Sequence, residues 1–169
     1  THYYEEQNIN LRCDTQVDRI DPAAREIYIG EEVLSYDQLA LTTGSEAITL
    51  PASIGGALRN VFTVRTLADV DEMASHFEPG KKALVIGGGY IGLEAAAVAS
   101  KQGLEVTLVE MADRILKRVA SAETSDYFRS LHSGHGVGIL EETGLTRLMG
   151  EDHVTSAELS DGRQLEVDF

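Results

Sequence analysis

The chain has a single cysteine, Cys13, half as many basic as acidic residues (14 against 28), and no long apolar run. One cysteine excludes an internal disulfide, which fits a reducing compartment without demanding one. Set in a strand-like stretch, Cys13 reads as a small packed hydrophobe. The acidic balance, a formal net charge of −14 at pH 7, opposes binding to nucleic acid and to anionic membrane surfaces. No apolar stretch approaches the roughly 20 residues that a membrane-spanning helix needs. A soluble, cytoplasmic protein is expected. The chain opens Thr1-His2-Tyr3-Tyr4-Glu5-Glu6, with neither an initiating methionine nor the basic and apolar regions of a signal peptide. It closes on Val167-Asp168-Phe169 as a further strand starts, and an internal piece of a longer protein is expected.

What the chain does have is a glycine cluster in an informative setting. Ala83-Leu84-Val85-Ile86 reads as a buried strand and is followed by Gly87-Gly88-Gly89-Tyr90-Ile91-Gly92 and an alanine-rich helix. Eighteen residues past Gly92 stands Glu110, closing a second strand, Glu105 to Val109. Gly87 suits the tight turn out of the strand, Gly89 lets backbone N–H groups approach a pyrophosphate, and Gly92 lets the helix pack closely on the sheet. The phosphates would sit at the positive end of the helix. A carboxylate at Glu110 can accept hydrogen bonds from both hydroxyls of an adenosine ribose and would repel a 2′-phosphate, so NAD is favoured over NADP.

The remaining patterns place this motif in an α/β chain. Alternation across Asn8 to Asp21 predicts a strand with a central break, followed by short strands at Glu26 to Ile29 and Glu32 to Leu34 and another at Gln38 to Gly44. From Ser45 to Val61 no period is sustained, and a linker or wrapping loop is expected. Thr66, with Asp69 three residues on, predicts the capped start of a helix from Leu67 to Phe77. A helix from Ile91 to Gln102 ends at Gly103, Ser121 caps another to about His132, and a strand follows from Val137 to Leu140. Strand-helix-strand-helix-strand implies a parallel sheet. Leu145 to Met149, His153 to Leu159 and Arg163 to Val167 then form a β-meander over one face. The expected fold class is a Rossmann-like parallel sheet with a β-meander, preceded by a β-rich segment, with the domain boundary in the Ser45 to Val61 stretch.

Gly87-Gly88-Gly89-Tyr90-Ile91-Gly92-Leu93-Glu94, together with Tyr36-Asp37-Gln38-Leu39-Ala40-Leu41-Thr42-Thr43-Gly44, resembles the flavin-dependent pyridine nucleotide reductases. Tyr4-Glu5-Glu6-Gln7-Asn8-Ile9, Arg65-Thr66-Leu67-Ala68-Asp69 and Leu131-His132-Ser133-Gly134-His135-Gly136-Val137 are most similar to the NADH:ferredoxin reductases among them. The resemblance implies that residues 1–44 are part of an FAD domain and 45–169 a linker and most of an NAD(H) domain. It places Val17, Thr43, Gly44 and Arg65 at FAD-contacting positions, with Thr42 where alanine is usual. It also places Tyr90 near a nicotinamide pocket, Glu94 towards the nicotinamide amide and Arg118 on the nucleotide, with Arg114 and Lys117 as alternatives.

The implied reaction is hydride transfer from NADH to FAD and onward single-electron transfer to a ferredoxin-type iron–sulfur protein, with no residue of this chain as acid or base. An NADH oxidase, a nitrite reductase subunit, a disulfide reductase or a nucleotide-binding module without turnover would carry the same signature. His132 and His135 have no convincing further ligand nearby, so no metal is expected; they read as residues favouring a helix C-terminus.

Overall fold

The computed structural model describes residues 2–169, which divide into two compact units, one ending at Ser45 and one spanning Glu46–Phe169. The first opens with a short helix, α1 (His2–Glu6). Its strands β1 (Arg19–Asp21), β2 (Glu26–Ile29) and β3 (Glu32–Ser35) form an antiparallel sheet in the order β1-β2-β3. The Asp21 side chain accepts from the N–H groups of Ala23 and Ala24 at 3.1 and 3.0 Å, fixing the turn at Pro22. Gly30, at φ +58°, turns the β2-β3 hairpin.

Two expected strands are corrected here. Of the alternating stretch Asn8 to Asp21, only the last three residues join a sheet, and Gln38 to Gly44 forms no strand. Alternation marks the residues that could share a face. A strand also needs a neighbour offering its own N–H and C=O groups, and among the described residues only Asp18 to Asp21 of these stretches bonds to one, β2.

In the second unit, α2 (Leu67–Ala74) begins at a complete capping box. Thr66 Oγ1 accepts from the Asp69 N–H at 3.2 Å, and Asp69 Oδ2 accepts from the Thr66 N–H at 2.7 Å. The helix stops short of the expected Phe77 because the next N–H groups turn to nearer carbonyls, His76 to Met73 and Phe77 to Ala74. Then follow β4 (Lys82–Ile86), α3 (Tyr90–Lys101), β5 (Glu105–Val109), α4 (Ala122–Gly134) and β6 (Gly138–Leu140). The strands form a parallel sheet in the order β4-β5-β6. Gly103, at φ +88°, ends α3 as a glycine can, and Ser121 caps α4 by accepting from the Thr124 N–H.

Ile86 is in register with Val109, and Val109 with Leu140. The residues that come next, Gly87, Glu110 and Glu141, therefore leave the sheet at one carboxyl edge. The final antiparallel sheet runs β7 (Leu145–Met149), β8 (Ser156–Leu159) and β9 (Gln164–Glu166). The chain's last two residues then lie along β4, where the Leu84 N–H donates to Phe169 O at 2.9 Å.

Alternation along β4 separates two cores. Ala83 and Val85 join Leu93, Ala96 and Ala99 of α3 and Val106 and Leu108 of β5, while Leu84 packs with Leu148, Val154, Ala157 and Val167 of the meander side. The meander thus covers the sheet face opposite the helices, as expected. Leu50, Leu58 and Val61 also pack on this second core, so the aperiodic segment wraps it. His132, in the last turn of α4, is buried: Nδ1 lies 2.9 Å from Phe128 O and Nε2 lies 3.2 Å from Leu93 O, tying α4 to α3. His135 forms the exposed C-cap of α4. Among the described residues, no helix is long and apolar enough to cross a membrane.

Candidate nucleotide-binding site

An open cleft of about 790 Å³ lies at the carboxyl edge of the parallel sheet, lined by residues 86–92, 110–112 and 116–119. Its floor is the glycine loop, and each glycine there has a different physical reason. Gly87 has φ +106°, a left-handed conformation that a side chain would strain. A Cβ on Gly92 would stand 2.0 Å from Gly87 O, so only glycine lets α3 start against the turn. A Cβ on Gly88 would stand 2.6 Å from Ile115 Cγ2, whereas one on Gly89 would meet no protein atom within 4 Å. Gly89 is the N-cap of α3. The opening turn of the helix therefore presents N–H groups without helical partners to an unobstructed space.

Glu110, half-buried, faces this loop. Its Oε2 accepts from the Gly88 N–H at 2.7 Å and its Oε1 from the Ala112 N–H at 2.8 Å. An ionised carboxylate has about four acceptor positions, so two remain for outside donors such as a pair of vicinal hydroxyls. The free acceptor positions of Glu110 and the open N–H groups of the helix N-terminus fit a diol beside a pyrophosphate.

Tyr90 and Ile91 are exposed at 56% and 58% and line the cleft. Glu94, further along α3, is exposed and lies outside the residues lining it. The three cations after Glu110 differ sharply. Arg114 turns inward, donating to Ser125 Oγ at 2.6 Å and to the carbonyls of Ala120, Lys117 and Ser121 at 3.0 to 3.3 Å. Lys117 pairs with Asp113 at 2.9 Å. Arg118 is exposed on the cleft and, among the described residues, carries no hydrogen bond or ion pair. Val17, Thr43 and Gly44 lie exposed in the first unit, and Arg65 lies exposed in the second.

Several contributors are absent from the sequence reading. Ile115, wholly buried, packs on Gly88, and the Leu116 N–H donates to Gly88 O at 2.8 Å. Leu116 holds φ +55°, an unusual conformation for a leucine. Glu141 accepts from the Ile115 N–H at 2.8 Å. The detectable signal for Glu141 was its position directly after a strand, the same position that singles out Glu110.

The model of the pyridine nucleotide-disulphide oxidoreductase family matches residues 3–169. The chain belongs to that family. It is 37% identical over 169 residues to the ferredoxin-NAD(P)(+) reductase fdr of a Sphingomonas species, covering 99% of this chain and 41% of that protein. It is 36% identical over 172 residues to putidaredoxin reductase CamA of Pseudomonas putida, covering 98% of this chain and 41% of that protein. Among solved structures, the covalent putidaredoxin reductase-putidaredoxin complex superimposes with a TM-score of 0.80 at 35% identity, covering 99% of this chain and 42% of the other. The chain thus spans about two fifths of the length of these relatives. Proteins of this family use FAD and pyridine nucleotides.

Proposed function

We propose that the cleft binds NADH and that this chain is the NADH-binding portion of an FAD-dependent reductase serving a ferredoxin-type iron–sulfur protein. Glu110 carries the reading: it stands at the rim of an open helix N-terminus with acceptor positions to spare and a charge that refuses a 2′-phosphate. Arg118 is the cation free to approach the nucleotide's phosphates. Tyr90, exposed on the cleft, would pack against the nucleotide towards its nicotinamide end. FAD, when bound, supplies the chemistry that turns a hydride into single electrons. The residues of this chain bind and orient, and none serves as acid or base. The ferredoxin relatives support the acceptor class.

By itself, the chain is expected to bind NADH without turnover, since no described residue of the first unit is buried to form a core for a flavin domain. Fluorescence titration tests the assignment. Glu110→Ala is expected to weaken NADH binding by roughly 1.5 to 3 kcal/mol, the value of a charge-assisted hydrogen-bonding acceptor. Tighter binding of NADPH than NADH to the unaltered chain would sink the reading.

A further inference from the structure

Glu141 follows β6 as Glu110 follows β5, and both carboxylates turn back onto backbone N–H groups at the same edge of the sheet. Arg129, on α4, grips both oxygens of Glu141, with Nε on Oε2 and Nη2 on Oε1 at 2.9 Å each. Asp126 holds Arg129 from its other side at 2.6 Å. Glu141 Oε1 also accepts from the Ile115 N–H. The next N–H, of Leu116, donates to Gly88 O, and the Gly88 N–H donates to Glu110 Oε2. A continuous run of contacts therefore leads from α4 through Glu141, Ile115, Leu116 and Gly88 to Glu110.

Three observations separate this run from an ordinary surface ion pair. Glu141 is only 19% exposed at its side chain, so its charge-assisted bonds are shielded from water. The Arg129 guanidinium is held on two sides at once, by both oxygens of Glu141 and by Asp126, which fixes its orientation. The third is steric: Ile115 is the residue that a Cβ at Gly88 would strike, and Leu116 keeps its left-handed backbone while bonded to Gly88. A tie between α4 and β6 alone would require neither the Ile115 N–H nor the Leu116 conformation.

We propose that Glu141 is a positioning residue for the cleft: gripped by Arg129, it sets the Ile115-Leu116 wedge against Gly88 and thereby places the Gly88 N–H and Glu110 for the nucleotide. The proposal rests on the cleft being the NADH site. Its test joins amide hydrogen exchange by NMR on the ligand-free 169-residue chain with NADH titration.

Glu141→Ala is expected to speed exchange at the Gly88 and Leu116 amides about tenfold relative to Ala96 in α3, and to weaken NADH binding roughly tenfold. Glu141→Gln keeps an acceptor for the Ile115 N–H but loses one prong of the Arg129 grip, and is expected to leave both changes at about threefold. If Glu141→Ala does not fold, Arg129→Lys, which keeps the charge but loses the two-pronged grip, is expected to show the same selective change at about threefold. Unchanged Gly88 and Leu116 exchange, or acceleration shared equally by Ala96, would overturn the proposal. Absence of NADH binding to the unaltered chain would instead overturn the nucleotide reading, while the exchange pattern still decided the role of Glu141.

Discussion

The meander β1-β2-β3 of the first unit and the meander β7-β8-β9 of the second have the same strand order and antiparallel pairing, but they differ in what lies beneath them. The second has a core of Leu148, Val154, Ala157 and Val167, all buried, against which Leu84 of β4 packs. In the first, the strand residues are half-buried or exposed, and Val33 is open to solvent at 47%. Ladder hydrogen bonds fix the geometry of both sheets, whereas apolar burial distinguishes them energetically. The candidate site follows burial. Its glycine loop is shaped by Ile115 and Leu116, which belong to the larger core.

The widest separation between the units is expected from core truncation. Leu108 is fully buried in β5, so Leu108→Ala should cost roughly 2 to 5 kcal/mol in urea denaturation, from lost burial and the cavity left behind. Val33→Ala in the first unit should stay within about 0.5 kcal/mol. Comparable losses at both positions would break the contrast.

A narrower contrast lies inside the glycine loop. Gly88→Ala forces a methyl towards Ile115 and should cost about 1 to 3 kcal/mol of stability. Gly89→Ala, in extended backbone with open space around it, should change stability by no more than about 1 kcal/mol. It should still reduce NADH affinity in a fluorescence titration, because the methyl occupies space that a pyrophosphate would use. Equal stability losses for the two variants would show that Gly89 is constrained by the protein and not by a ligand.

The same contrast explains how much of the molecule could be read from its sequence. Glu105 to Val109 and Leu145 to Met149 are strands with the expected limits, since their apolar residues face a core that is present. Thr66 and Asp69 form the expected box because capping is local, made within four residues. Asn8 to Asp21 carried a strand-like alternation but found a partner only at its end, and pairing is a long-range property that alternation does not contain. In the site, the glycine spacing and Glu110 stood out, but the Gly88–Ile115 contact and the grip of Arg129 on Glu141 did not. Those depend on how a loop folds back over a sheet edge, which side-chain identity alone does not specify.

The smallest predicted effect concerns α2, an element of the second unit that shares the first unit's lack of buried residues. Its start therefore depends on the Thr66-Asp69 box. Asp69 accepts hydrogen bonds from the backbone N–H groups of Thr66 and then Arg65, which hold its carboxyl below the ordinary aspartate value. A group whose folded pKa is depressed stabilises fully above its unfolded value, near pH 4, and loses that contribution as pH falls through the folded value. Lowering the pH from about 5 to 3 should therefore speed amide exchange, corrected for its intrinsic pH dependence, across Leu67–Ala74 before it affects β5. Asp69→Asn should exchange faster at pH 5 and respond less to the acid shift. An acid response of α2 as large in Asp69→Asn as in the unaltered chain would show that the helix is held by its packing after all, and would move α2 to the core's side of the comparison.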